Sequence, residues 1–224
     1  MAVKTRKINS KTTNIKSVKK TVKIPVKTIG ENTVIQPNIK LLELTKLTKN
    51  EIEQLVDITS NIDVMKYIGT GKIWTIDDIK SFIKDEKIDQ KLPHHKRQYY
   101  SYVILYDNNV VGYISGRKKR SILTKPFDRN PDNIIFRILI GSNYQGKGIG
   151  KIAVKLFIDK YRNIVNRNII KEDKKLNSTT VIIADIDKDN IGSIKTMLAN
   201  GFKYYGVIKY FGNSKELNRY IYYV

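Results

Sequence analysis

The stretch GSNYQGKGIGK, Gly141 to Lys151, constrains the fold more than any other part of the chain. It follows an apolar run, NIIFRILI, and precedes an amphipathic one, KIAVKLFIDKY. The first reads as a buried strand. The second reads as a helix with Ile149, Ile152, Ala153, Leu156, Phe157 and Tyr161 on one stripe. Lys147, Lys151 and Lys155 step along another face at spacing four. A glycine-rich turn that feeds a helix N-terminus presents backbone N–H groups and partial positive charge, which is the chemistry of a phosphate cradle. Its position matters as much. Downstream lie only the apolar strand TTVIIADI, a short helix NIGSIKTMLAN ended by Gly201, and two strands, FKYYGVIKY and NRYIYYV, around a turn at Gly212-Asn213. Most strands must therefore precede the loop.

Upstream, IKLLELT reads as a strand and Thr48–Glu51 as a capping box opening a helix with Ile52, Leu55 and Val56 inward. NIDVMKYI reads as a short helix. A further helix starts at Thr75 and carries Ile79, Phe82 and Ile83 on one face. KDEKIDQKLPHHKRQ is expected to be a polar loop. YYSYVILYDNNVVGYISGR reads as two strands around Asp107-Asn108-Asn109, and a long basic loop, Lys118 to Asp132, follows. Residues 1–39 differ from all of this. They hold nine Lys or Arg against one Glu, with no sustained apolar period, and are expected to form a disordered basic tail before a folded domain at 40–224.

The net charge of +21 suits polyanionic partners, whether nucleic acid, an anionic surface or a phosphorylated cofactor. Cysteine is absent, which excludes a disulfide framework, thiolate metal ligands and a cysteine nucleophile. No stretch of 18 apolar residues exists, so no membrane span is expected. The N-terminus lacks the apolar core of a secretory signal, and the expected location is intracellular, cytoplasmic or nuclear. RKKR at 117–120 is either a nuclear-type address or an exposed loop.

Three phosphate loops compete for Gly141–Lys151. The nucleoside-triphosphate loop G-x-x-x-x-G-K-[ST] has Gly141, Gly146 and Lys147 in place, and VIIAD even supplies a strand ending in an acid, Asp185. It fails at Gly148, where a hydroxyl is needed for Mg²⁺, and too few strand–helix units follow. The dinucleotide fingerprint G-x-G-x-x-G fails because Gly146, Gly148 and Gly150 alternate. Gln145-Gly-Lys-Gly148-Ile-Gly150 does match Q/R-x-x-G-x-G/A.

That motif, between a strand and a helix, resembles the acetyl-CoA loop of the GNAT superfamily of N-acetyltransferases. NIGSIKTMLANGF is similar to the family's N-x-x-S/A…G-F segment, with Asn190, Ser193, Gly201 and Phe202 in place about 50 residues on. The resemblance covers roughly 40–224. VMKYIGTGKIWTIDDIKSFI and the N-x-x-S form resemble the branch acting on ribosomal-protein N-termini and small amines. The fold implied is α/β, a mixed, mostly antiparallel central sheet flanked by helices. The activity implied is direct acetyl transfer from acetyl-CoA, as co-substrate and without metal, to a primary amine in a ternary complex.

The resemblance also implies site residues. The pyrophosphate would rest on Gln145, Gly146, Lys147, Gly148, Ile149, Gly150 and Lys151, and the pantetheine arm would pair with Ile138, Leu139 and Ile140 while TTVIIADI splays away. A backbone N–H at Leu139 or Ile140 would hold the thioester oxygen. Asn190 would cap its helix and touch pantetheine. Many relatives carry an acidic tyrosine four residues before the G-F glycine; Met197 stands there, so Ser193 becomes the candidate acid. Asp185 is the candidate base or amine-orienting carboxylate. Asp185, Asp187 and Asp189 together would make the acceptor cleft acidic enough for a polyamine. His94-His95 lacks further ligands nearby for a metal site, and the C-terminal tyrosines read mostly as sheet packing. Oligomeric state is not legible. The alternative is a catalytically inactive domain of this type that binds nucleic acid or a partner through its basic surface and tail.

Overall fold

A computed structural model describes residues 38–118, 127, 130–171, 179–209 and 215–224. The expected basic tail and the Gly212-Asn213 turn lie outside the described residues, apart from Asn38 and Ile39. The elements are β1 (Ile39–Glu43), α1 (Lys49–Thr59), α2 (Ile62–Met65), α3 (Ile76–Asp89), β2 (Tyr99–Tyr106), β3 (Asn109–Arg117) and β4 (Ile134–Ile140). After the glycine loop come α4 (Ile149–Lys171), β5 (Val181–Ile186), α5 (Ile191–Leu198), β6 (Lys203–Lys209) and β7 (Glu216–Tyr223).

The strands form one sheet in the order β1-β2-β3-β4-β5-β7-β6. Every pairing is antiparallel except β4 with β5. This is the mixed, mostly antiparallel α/β architecture expected. The Asp107-Asn108 turn has φ of 48° and 66° at its two residues, the left-handed pair that a tight two-residue hairpin demands and that Asp and Asn tolerate.

Strand alternation splits the core. Tyr102, Ile104 and Ile114 face α4, whose Ile149, Ala153, Phe157 and Tyr161 are buried against them, joined by Met197 of α5. Val103, Leu105 and Tyr113 face the other way, toward Leu55 of α1 and Ile79 of α3. Capping boxes start both α1 (Thr48 with Glu51) and α3 (Thr75 with Asp78).

The polar loop expected from Lys84 to Gln98 is a correction. α3 runs through to Asp89, and only then does the chain turn to β2. Its last inward positions are carboxylates. β1 stops pairing at Tyr102, so the start of β2 pairs with β3 on one edge and with no strand on the other. Glu86 accepts the Ser101 N–H at 2.8 Å, and Asp89 accepts those of Gln98 and Tyr99 at 2.9 and 3.0 Å. Both acids are buried, standing in for the carbonyls of the missing strand.

Candidate active site

The loop keeps its shape through backbone and glycine. Gly146 and Gly148 have φ of +75° and +78°, and a Cβ at either would meet nothing within 4 Å, so both face open space. Gln145 Nε2 donates to Ile140 O at 2.8 Å and ties the loop to the end of β4. The first α4 amide to find a backbone acceptor is that of Ile152, on Gly148 O at 3.3 Å. The amides before it are the unsatisfied donors of a helix N-terminus, directed at the loop. This cradle fits a diphosphate.

Next to it, β4 and β5 part. They share only two pairs, Ile134 with Ile182 and Ile135 with Ile183. Beyond Ile135, β4 continues beside β3 while β5 continues beside β7. The Gly141 N–H donates to Val111 O at 2.9 Å, which fixes the antiparallel alternation. Residues 137 and 139 then direct their N–H and C=O toward β3, and residues 136, 138 and 140 direct theirs into the opening. The Leu139 amide is thus turned toward β3, while those of Ile138 and Ile140 face the opening.

A cavity of ≈ 560 Å³ runs along this opening. Of the expected residues it gathers Ile138, Leu139, Ile140, Gln145, Gly146 and Gly148, with Ile149, Gly150, Lys151, Asn190 and Ser193 on the helix side. Lys147 is not among its walls; its Nζ lies 5.4 Å from the Tyr144 ring centroid. Lys66 and Lys195 line the cavity, and neither stood out in the sequence. Asn190 caps α5 by accepting the Ser193 N–H at 3.1 Å, and Ser193 is a half-buried residue of the cavity wall. Met197 is fully buried in the core and faces away.

Asp185 is not brought to the cavity. Its oxygens accept from Arg219 Nε and Nη2 at 2.7 and 2.8 Å, a bidentate cross-strand pair with both side chains almost fully buried. Asp187 is paired with Lys215, whose hydrogen bond holds its carboxyl below the usual range, and Asp189 bonds Lys188. The expected acidic cluster is thus matched by cations.

A second cavity, ≈ 320 Å³, opens on the α3 side of the sheet and shares Ile68, Ile138 and Leu139 with the first. Trp74, Phe82 and Tyr113 form aromatic walls, and Asp85, Glu86, Arg117 and Arg137 bring charge. Burial, reinforced by the Asp89 and Glu43 charges and opposed by the Ser101 hydrogen bonds, raises Glu86 to about 7. No sequence signal marked it, because an acid on an inward stripe looks like a surface residue.

Two other expectations are settled elsewhere in the fold. His94 is no ligand: its ring bonds Asp132 at 3.1 Å and Tyr100 OH at 2.9 Å, beside a buried Lys118 that donates to Asp132 at 2.7 Å. Arg117 and Lys118, the described half of RKKR, are thus half-buried and buried rather than an exposed run. Among the described residues no group of three His, Cys, Asp or Glu could hold a metal, and no helix is long and apolar enough to cross a membrane.

No curated protein sequence matches the chain. Solved structures do share its fold. The microcin C7 self-immunity acetyltransferase MccE, in complex with acetyl-CoA and AMP, superposes with a TM-score of 0.59 at 21% identity, over 83% of this chain and 92% of that one. A ribosomal-protein-alanine N-acetyltransferase from Brucella melitensis gives 0.58 at 19%, over 83% and 99%. The spermidine N-acetyltransferase from Vibrio cholerae, with CoA and spermine, gives 0.58 at 15%, over 83% and 95%. The family model for the acetyltransferase (GNAT) domain matches residues 42–203, most of the chain and the whole of the site, and the protein belongs to that family.

Proposed function

We propose that residues 40–224 form an acetyl-CoA-dependent N-acetyltransferase that passes acetyl to a primary amine by direct attack in a ternary complex. The observation that carries this reading is the open edge of β4, with a glycine cradle at its end and two cavities that meet at Ile68, Ile138 and Leu139. The Gly146–Lys151 amides would hold the pyrophosphate, with Lys151 adding charge. The unpaired backbone of Ile138 and Ile140 would pair with the pantetheine arm, and one of their amides would face the thioester oxygen. Bound acetyl-CoA supplies an activated acyl group. Asn190 and Ser193 would border its pantetheine, with Ser193 placed to return a proton to the leaving thiolate.

The acceptor would enter from the α3 side. There Glu86 takes the part expected of Asp185, since it is the buried carboxyl of that cavity and its protonation lies near neutrality. An α-amine, with an ordinary pKa of about 8, needs less help from such a base than a lysine at about 10.4. This favours protein N-termini or small α-amines, in keeping with the resemblance to the ribosomal-protein branch. Calorimetry with acetyl-CoA, followed by free-thiol release with amine acceptors, tests the reading. A folded protein that fails to bind acetyl-CoA at millimolar concentration would remove it.

A further inference from the structure

The acceptor-side cavity is lined by two arginines, Arg117 and Arg137. Arg117 ends β3 and Arg137 lies mid-β4. Their register places Ser115 opposite Arg137 and Ile135 opposite Arg117, so both arginines leave the same face of the sheet as diagonal cross-strand neighbours. Such neighbours sit about 7–8 Å apart at the backbone, within reach of one shared group for side chains this long.

Each is set up differently. The Arg117 guanidinium lies 4.7 Å from the Tyr99 ring centroid, and its Nη2 donates to Tyr99 OH at 2.8 Å. Stacking and hydrogen bond fix the plane, yet its Nε is buried with no hydrogen-bond partner. Arg137 is exposed on the face that β5 has left uncovered. Among the described residues no carboxylate forms an ion pair with either arginine. The other charges of the cavity are Asp85 and Glu86, both on α3, so the acids lie on the helix and the arginines on the sheet.

Two guanidinium groups that line one cavity from the same sheet face, with no carboxylate paired to either among the described residues, suit an anion that accepts from both. We propose that Arg117 and Arg137 form an anion-reading pair in the acceptor cavity, so that the substrate is a primary amine carrying a carboxylate or phosphate and not a polyamine. The inference rests on the acceptor entering by this cavity, as the proposed function has it. Leu139, at the meeting of the two cavities, is two residues from Arg137 on the same face, so amine and anion should stand roughly 6–7 Å apart. A dipeptide or a short phosphorylated amine spans that distance. A polycation would meet both arginines with like charge.

The test loads the full chain with acetyl-CoA and titrates it calorimetrically with four paired probes, glycylglycine and glycylglycinamide, O-phosphoethanolamine and ethanolamine, and with spermine. Thiol release is read in parallel. The expected result is that an anionic probe binds at least about tenfold more tightly than its neutral partner. Arg117→Met with Arg137→Met should erase that ratio, and Arg137→Met alone should reduce it, while acetyl-CoA affinity holds. Preference for glycylglycine would assign a carboxylate and preference for O-phosphoethanolamine a phosphate. Equal binding of the neutral probes, tighter binding of spermine, or no binding of either anionic probe would overturn the proposal. Failure of acetyl-CoA itself to bind would instead count against the proposed function.

Discussion

Glu86→Gln is the most informative single substitution. Glutamine keeps the shape and, through Oε1, the bond from the Ser101 N–H that replaces a missing strand partner. What it removes is a carboxyl whose pKa burial raises from 4.5 to about 7, with Asp89 and Glu43 adding like charge. An acid raised on folding binds its proton more tightly in the native state. The stability tied to that proton is full below the unfolded pKa and is lost as pH rises through the folded one. The variant does not titrate there, so the two proteins should be about equally stable at pH 4 and diverge up to about pH 7. At 1.36 kcal/mol per pKa unit, the variant should gain about 3 kcal/mol above that pH, or roughly 6–12 °C in Tm for a domain of this size. Urea denaturation of both proteins across that range measures it. A difference that does not depend on pH, or a variant less stable than the wild type at pH 8, would refute the burial argument. The same substitution should lower kcat/KM if Glu86 takes the amine's proton, so stability and activity would move in opposite directions.

Other parts of the structure make separate predictions. Gly148→Asp places an L residue at φ +78° and a negative charge beside the cradle; the fold should survive at a cost of about 1–2 kcal/mol, while calorimetry shows acetyl-CoA affinity lost. Asp185→Asn removes the bidentate carboxylate that accepts from the buried Arg219 and should cost about 3–5 kcal/mol in urea denaturation, whereas the paired change Asp185→Leu with Arg219→Met should be milder and retain acetyl-CoA binding. Asp132→Asn should cost about 2 kcal/mol at pH 7. Burial pushes the Asp132 carboxyl up, but hydrogen bonds from His94 and Lys118 with the Lys118 charge outweigh it and hold it well below the usual carboxylate range. That contribution is present above the ordinary carboxylate pKa and is lost as pH falls through the lowered one, so the variant's deficit should shrink in acid.

What could be read from the chain alone was whatever repeats locally. The α4 stripe, the Asp107-Asn108 turn, two capping boxes and the alternating glycines are all short-range patterns, and the structure keeps them, except that α4 buries Val154 and Ile158 where the stripe had Ile152 and Leu156. The failures share one cause: roles that are set by a partner elsewhere along the chain. Asp185 looked like a base or amine-orienting carboxylate because Arg219 lies 34 residues away and meets it only through the β5–β7 register. Glu86 and Asp89 looked like loop residues because the edge they cap exists only where β1 ends before β2 does. Leu139 and Ile140 could not be separated because the direction of a strand amide depends on pairing parity, which only the Gly141–Val111 bond reveals. Arg117 and Arg137 became a pair only once β3 and β4 were aligned.

Met197 gains a different meaning from this arrangement. By resemblance its position belongs to a tyrosine acid, and its side chain here is fully buried in the core and has no proton to give. The proton requirements of the proposed reaction are uneven. A leaving thiolate has a conjugate acid of pKa about 8.5, so near neutral pH it departs with little acid assistance, and a hydroxyl such as that of Ser193 or cavity water suffices to return the proton. An amine whose pKa lies above neutral pH is mostly ammonium at pH 7 and must lose a proton before it can attack. The larger demand therefore falls on the acceptor side, where Glu86 titrates at about 7. A site that spends its perturbed group on the amine and fills the tyrosine position with core is chemically sufficient for transfer, and the methionine alone is no sign of a lost activity.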